Sequence, residues 1–221
     1  MNYLTHQLLN FEELEILRKS LDNSELFWED GKQTAGKHAA EVKNNLQFKR
    51  DSDLSKKFSG LIIKKILSND LIKSFALPKK VHGTMFSKSS NGMKYGRHID
   101  NAYMSSVRAD LSFTIFLNYK DNYEGGALSI ESFNSEEKFK LDAGEIIIYP
   151  STYLHSVEEV IAGERLVFIG WIESYVKSIE EREYLFDLDA AARSLLSKYG
   201  RSDEVDLIYK SYSNLLRRLG S

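Results

Sequence analysis

The sequence predicts an α+β chain: a mainly β core of sandwich or jelly-roll type, with helices at both ends. Three observations carry that expectation. Apolar residues recur at helical spacing near both termini, short alternating segments separated by glycines fill the middle, and no helical pattern interrupts those segments as a doubly wound parallel sheet would require.

Residues 1–78 read as a mainly helical segment packing on the core. Phe11, Leu14, Leu17 and Leu21 share one helical face, and Leu54, Phe58, Leu61, Ile62 and Ile66 share another. Asp51 to Asp53 offer caps for the second helix and Pro78 closes the region, while Asp30-Gly31 and Gly36 mark turns between helices. Residues 79–175 read as the β core. Leu111, Phe113, Ile115 and Leu117 alternate with Asp110, Ser112, Thr114 and Phe116, so one face is greasy and the other partly polar, as the lining of a reaction pocket would need. Residues 127–131, 138–141, 145–149 and 165–171 add further short strands. In residues 176–221 helical spacing returns, with Val176, Ile179, Leu185, Leu188, Ala191 and Leu195 before Gly200. A last helix carries Val205, Ile208, Tyr209, Tyr212, Leu215, Leu216 and Leu219. These faces serve packing on the core and permit a homodimer.

Composition narrows the function classes. The 221 residues suit one domain, and 42% apolar with 28% charged residues is an ordinary globular mixture. A formal charge of −2 gives no bulk argument for nucleic acid or an anionic membrane, and no apolar run is long enough to span a bilayer. The first residues lack the layout of a signal peptide, and the chain has no cysteine. Disulfides, thiol catalysis and thiolate metal sites are therefore excluded, and a cytoplasmic location is expected.

The chemistry concentrates in His98-Ile99-Asp100, His155 and Arg165. On an extended strand, residues two apart point the same way, so His98 and Asp100 can share one metal. Two imidazoles and one carboxylate occupy one face of a ferrous ion and leave other positions open, which suggests a non-haem iron oxygenase. Arg165, in phase with Val167, Ile169 and Trp171, would then point into the barrel and grip the far carboxylate of a keto-acid cosubstrate. An HxD alone is a common coincidence, and His155 or Arg165 alone reads most simply as structural. Their conjunction shifts the reading. Two alternatives stand beside it: a non-catalytic jelly-roll binding module, and a cupin-like metalloenzyme without a keto-acid cosubstrate, which would not need Arg165.

Beyond these residues, YGRHIDNAYM (95–104), RADLSFTIFLN (108–118), YEGGALSIES (123–132), LDAGEIIIYPSTYLH (141–155) and GERLVFIGWIES (163–174) resemble the PKHD-type hydroxylases. These are prolyl-4-hydroxylase-like, Fe(II)- and 2-oxoglutarate-dependent dioxygenases. WEDGKQTAGKHAAEVKNN (28–45), FDLDAAARSL and YSNLLRRL resemble the family's flanks, so the likeness covers nearly the whole chain. It implies a double-stranded β-helix core, with His98, Asp100 and His155 as iron ligands and Arg165 on the distal carboxylate of 2-oxoglutarate. It further implies hydroxylation of a small-molecule or peptide substrate coupled to decarboxylation of 2-oxoglutarate to succinate and carbon dioxide, with ascorbate as a reductant. Many relatives in the wider superfamily carry a serine two residues after that arginine. Here Val167 stands there, and Tyr95, Ser112 and Thr114 are the candidates to supply the hydroxyl.

Other residues draw blander expectations. His6, His38 and His82 fit no ligand spacing and read as surface or loop. Trp171 and Tyr149 read as core, Arg108 and Asp110 as an ion pair, and Gly125-Gly126 as a tight turn. Lys37 and His38 are candidates for a pocket mouth, and Arg217-Arg218 reads as a solvated helix face.

Overall fold

The computed structural model describes residues 3–34, 40–132 and 134–221. Its strands are β1 (Leu4–Gln7), β2 (Trp28–Asp30), β3 (Lys43–Asn44), β4 (Leu46–Phe48), β5 (Pro78–Ser90), β6 (Lys94–His98), β7 (Tyr103–Met104) and β8 (Val107–Arg108). They continue with β9 (Leu111–Phe116), β10 (Tyr123–Gly125), β11 (Leu128–Glu131), β12 (Glu136–Phe139), β13 (Glu145–Pro150), β14 (Leu154–Val157) and β15 (Val160–Ser174). The helices are α1 (Phe11–Asp22), α2 (Asp53–Ser68), α3 (Asp70–Ala76), α4 (Ile179–Tyr199) and α5 (Asp203–Leu219).

Each of these helices begins at a side-chain cap that occupies otherwise orphaned amides. Asn10 and Glu13 form a reciprocal capping box on α1, while Ser52, Asn69, Ser178 and Ser202 cap the four others. Ser52 thus takes the position expected from the Asp51–Asp53 cluster. On α1 and α2 the buried stripe is Leu14, Leu17 and Leu21 with Phe58, Ile62 and Ile66. Phe11 and Leu61, assigned to those faces by spacing, are 64% and 54% exposed, because each sits at the rim of its apolar arc.

Two antiparallel sheets face each other. The larger runs β1-β13-β9-β15-β5-β4-β2 with β10 added beside β15, and the smaller runs β12-β11-β14-β6-β3. The alternation in β9 sorts as expected. Leu111, Phe113 and Ile115 join the core that the helices cover, along with Phe86 and Phe168, while Ser112 and Thr114 line the cavity between the sheets. The same two-sided sorting runs through β15: Leu166, Phe168 and Ile172 face the helices, and Arg165, Val167, Ile169 and Trp171 line the cavity.

The N-terminal segment is less purely helical than spacing implies. It contributes β1 to one edge of the larger sheet, β2 and β4 to the other, and β3 to the smaller sheet. These strands hold two to four residues each, too few for alternation to stand out, and they form because sheet edges offer unpaired backbone groups. Between β3 and β4 the chain passes from one sheet to the other, with Lys43 opposite Tyr95 and Leu46 opposite Lys88. α4 and α5 pack together, and Tyr212, Leu215, Leu216 and Leu219 close over Leu77, Val176 and Leu185. No helix among the described residues is long and apolar enough to cross a membrane.

Candidate metal centre and its cavity

Backbone pairing brings the two histidines together. His155 on β14 is the direct partner of His98 on β6, and the register shifts before the next pair, Val157 with Tyr95, because β6 carries an extra residue there. Asp100 lies just past the end of β6, half-buried. One ligand-type atom from each of His98, Asp100 and His155 falls within 4.8 Å of the others. His155 Nε2 is 3.7 Å from Asp100 Oδ2.

Each donor is held from behind. Both imidazoles bond a backbone carbonyl through Nδ1, His98 to Gly96 at 2.8 Å and His155 to Tyr153 at 3.1 Å. A carbonyl only accepts, so Nδ1 carries the proton and the Nε2 lone pair is left free for a metal. Burial, with the neighbouring His155, lowers the His98 pKa to about 4, so this ring is neutral at physiological pH. Tyr95 stacks on it at 3.6 Å between centroids. Ser112 Oγ donates to Asp100 Oδ2 at 2.6 Å and lies 2.8 Å from Ser151 Oγ. Hard oxygen and neutral nitrogen donors, on one side of a common point and open to a cavity, fit ferrous iron.

That cavity, of about 360 Å³, also receives Arg165. Arg165 is 3% exposed and its Nε has no hydrogen-bond partner. Burial lowers its pKa, though a guanidinium stays charged. Phe116 lies beneath it, with the ring centroid 5.5 Å from Cζ. Tyr123 sits beside it with its buried hydroxyl turned toward the guanidinium, and Tyr149 lends it electrostatic support. Gly126 makes room for the arginine. A Cβ there would stand 3.1 Å from Arg165 Cδ, and φ of +66° already favours glycine.

The three hydroxyl candidates separate. Ser112 is taken by Asp100, Tyr95 stacks on His98, and Thr114 hydrogen-bonds the Tyr149 phenol. Neither phenol beside Arg165 was among the expected hydroxyl partners: Tyr123 drew no reading, and Tyr149, read as core, is buried as expected. Tyr149 shares strand parity with Ile147 on β13, and both belong to the apolar cluster facing the smaller sheet, which is the signal available in the sequence. Its pKa is pushed well up by burial and then by Asp100, so it is a neutral donor.

Remaining expectations resolve simply. Arg108 Nε pairs with Asp110 at 2.7 Å. His6 and His82, expected on the surface or in loops, instead lie half-buried on strands: His82 on β5 bonds the Arg108 carbonyl and lines the cavity, and His6 on β1 contacts Asn69. Trp171 lines the cavity and is only half-buried, because the bulge in β15 beside it opens that end. Gly125 and Gly126 both adopt positive φ. Lys37 and His38 lie outside the described residues.

This fold and this cavity define a member of the 2OG-Fe(II) oxygenase superfamily, whose family model matches residues 84–173. Residues 180–220 match the PKHD-type hydroxylase C-terminal domain. A PKHD-type hydroxylase of Prochlorococcus marinus strain MIT 9215 is 74% identical over 220 residues, covering all of both chains. The chain belongs to the PKHD-type hydroxylases. Among solved structures, a Pseudomonas putida prolyl-4-hydroxylase is similar in fold, with a TM-score of 0.58 at 16% identity over 78% of this chain and 92% of that one. A Trichoplax adhaerens prolyl hydroxylase, solved with a hypoxia inducible factor peptide fragment, gives 0.57 at 14% identity over 83% and 86%.

The protein is therefore an Fe(II)- and 2-oxoglutarate-dependent dioxygenase, a hydroxylase. The core is the expected jelly roll. Neither the non-catalytic module nor the cupin-like enzyme is needed.

Proposed function

We propose that His98, Asp100 and His155 hold the iron and that Arg165 binds the distal carboxylate of 2-oxoglutarate. The observation that carries this is the shared cavity: three tethered donors converge within 4.8 Å, and a buried guanidinium with an unpartnered Nε faces the same space. When bound, iron and 2-oxoglutarate supply dioxygen activation, with succinate and carbon dioxide leaving as a substrate C–H bond is hydroxylated.

The chain's own residues do the positioning. The Gly96 and Tyr153 carbonyls set the tautomers of the two imidazoles, and the Ser151–Ser112 pair fixes the carboxylate of Asp100. Arg165 offers a planar fork to a carboxylate, a geometry that an ammonium does not match. Tyr123 and Tyr149 replace the hydroxyl that Val167 cannot give. Phe116 and Val167 exclude water around the guanidinium and so strengthen its hold.

A cytoplasmic location, without nucleic-acid or membrane partners, belongs to the same proposal and is supported by the absence of cysteine and the near-neutral charge. Exposed Tyr184, Leu196, Tyr199 and Leu207 on α4 and α5 would supply the surface of a homodimer.

The test is anaerobic addition of Fe(II) and 2-oxoglutarate. A weak visible charge-transfer band is expected in the wild type and absent in the His98→Ala, Asp100→Ala double variant. A band that survives in the double variant sinks the assignment.

A further inference from the structure

Arg165 has a cross-strand neighbour that the metal centre does not use. β15 lies between β9 and β5 in the larger sheet, and on the β5 side Arg165 pairs directly with Ser89. The register there runs unbroken from Glu164 opposite Ser90 to Ile169 opposite Met85. Side chains directly opposite in an antiparallel pair leave the sheet on the same face, with Cβ atoms roughly 4.5–5.5 Å apart. Both Arg165 and Ser89 line the cavity. Ser89 is 4% exposed, and its hydroxyl has no hydrogen-bond partner among the described residues. A hydroxyl so enclosed gains from a ligand that brings it an acceptor.

Ser87, two residues back on the same face, is placed differently. It stands opposite Val167, and its Oγ accepts from Asn45 Nδ2 at 2.7 Å. The hydroxyl set opposite the guanidinium itself is therefore that of Ser89.

The chemistry of a carboxylate asks for such a donor. An ionised carboxylate accepts at about four sites, of which a guanidinium fork fills about two. Where Phe116 and Val167 keep water out, the remaining sites depend on donors from the protein. Tyr149 belongs to β13, beyond β9, so its phenol and the Ser89 hydroxyl stand on opposite sides of the strand that carries Arg165.

We infer that Ser89 donates a hydrogen bond to the distal carboxylate of 2-oxoglutarate and forms, with Arg165, a clamp built across two strands. Val167 leaves β15 without a hydroxyl beside the arginine, and Ser89 returns one from β5. This adds a cosubstrate-binding residue to the proposed site and rests on the reading of Arg165 given above. It also bears on selectivity, since a keto acid without a distal carboxylate gains nothing from Ser89.

The experiment is an anaerobic titration of the full-length enzyme at saturating Fe(II), with 2-oxoglutarate and with pyruvate, which keeps the keto-acid head and lacks the distal carboxylate. The charge-transfer band and calorimetry report binding. Ser89→Ala lowers 2-oxoglutarate affinity roughly tenfold, the worth of one hydrogen bond to a charged group, and leaves pyruvate and Fe(II) affinities at wild-type values. Ser87→Ala, and Ser90→Ala on the other face of β5, leave 2-oxoglutarate affinity unchanged. Melting temperatures confirm that the variants are folded. An unchanged 2-oxoglutarate affinity in Ser89→Ala, an equal loss for pyruvate, or the same loss in Ser87→Ala overturns the inference. Arg165→Met, run beside them, separates the two readings. Weakened 2-oxoglutarate binding there with none in Ser89→Ala removes Ser89 alone, whereas wild-type affinity in Arg165→Met removes the reading of the arginine.

Discussion

The Ser112 hydroxyl donates to Asp100 Oδ2 at 2.6 Å, so a serine at the start of β9 orients the carboxylate that ends the HxD segment. Partners of this kind set ligand direction, and losing one typically costs 10–100-fold in metal affinity. Ser112→Ala is expected to weaken Fe(II) binding by roughly that factor while the KM for 2-oxoglutarate stays close to wild type at saturating iron. Titration of the charge-transfer band with Fe(II) measures it. Wild-type iron affinity in the variant would show that Asp100 needs no such support.

Gly126 and Arg165 form a second dependent pair, since a Cβ at 126 meets the arginine stem at 3.1 Å and the Val160 side chain at 3.0 Å. Gly126→Val should displace the guanidinium and raise the KM for 2-oxoglutarate by roughly tenfold or more, the equivalent of about 1.4 kcal/mol. Arg165→Lys should act in the same direction, because a point charge replaces a fork. A KM series over the two variants checks both. An unchanged KM in Arg165→Lys would mean that charge alone holds the cosubstrate.

Asp110 anchors the far end of the barrel. It accepts from Arg108 Nε at 2.7 Å and from the Ser174 amide at 2.8 Å, while Arg108 also donates to the Ser174 carbonyl. Asp110→Ala leaves the largely buried Arg108 only the Ser174 carbonyl and the longer Glu173 contact at 3.7 Å, and takes the acceptor from the Ser174 amide, a loss of about 3 kcal/mol. For a chain of this length that corresponds to a melting temperature lower by roughly 6–12 °C. Differential scanning calorimetry decides it, and a shift under about 2 °C would show the pair to be energetically idle.

His82 gives stability a pH dependence. Burial lowers its pKa, only partly opposed by its bond to the Arg108 carbonyl and by Glu173 and Asp110. Above the ordinary imidazole range both folded and unfolded forms are neutral at this site. As pH falls through that range, the unfolded chain takes up a proton that the folded chain resists, so stability drops. Urea midpoints at about pH 7.5 and about pH 5.5 should therefore diverge more in wild type than in His82→Gln. Identical divergence would remove His82 from the account.

Local order was legible in the residues themselves. Helical spacing located the stripes of α1, α2 and α5, because each depends on neighbours within a turn or two; on α4 it found Leu185, but the buried face there is completed by Arg182, Asp189 and Ala192 in place of the expected Leu188, Ala191 and Leu195. Alternation in β9 and β15 separated cavity-facing from helix-facing side chains, and the HxD segment, His155 and Arg165 stood out by chemistry. Short strands escaped notice: β1 to β4 carry too few residues for a period to emerge, and they are held by edges built elsewhere in the chain.

What tertiary structure alone decided is pairing between distant segments. The register that sets His155 against His98, the serine that reaches Asp100, the phenols beside Arg165, and the passage of Lys43 and Asn45 along the cavity wall all join residues far apart in the chain. Side-chain type and spacing specify which face a residue takes, whereas hydrogen-bond register and sheet-to-sheet packing specify what it meets there. The residue types of the centre were thus set by the sequence, and their convergence on one cavity by the closure of the two sheets.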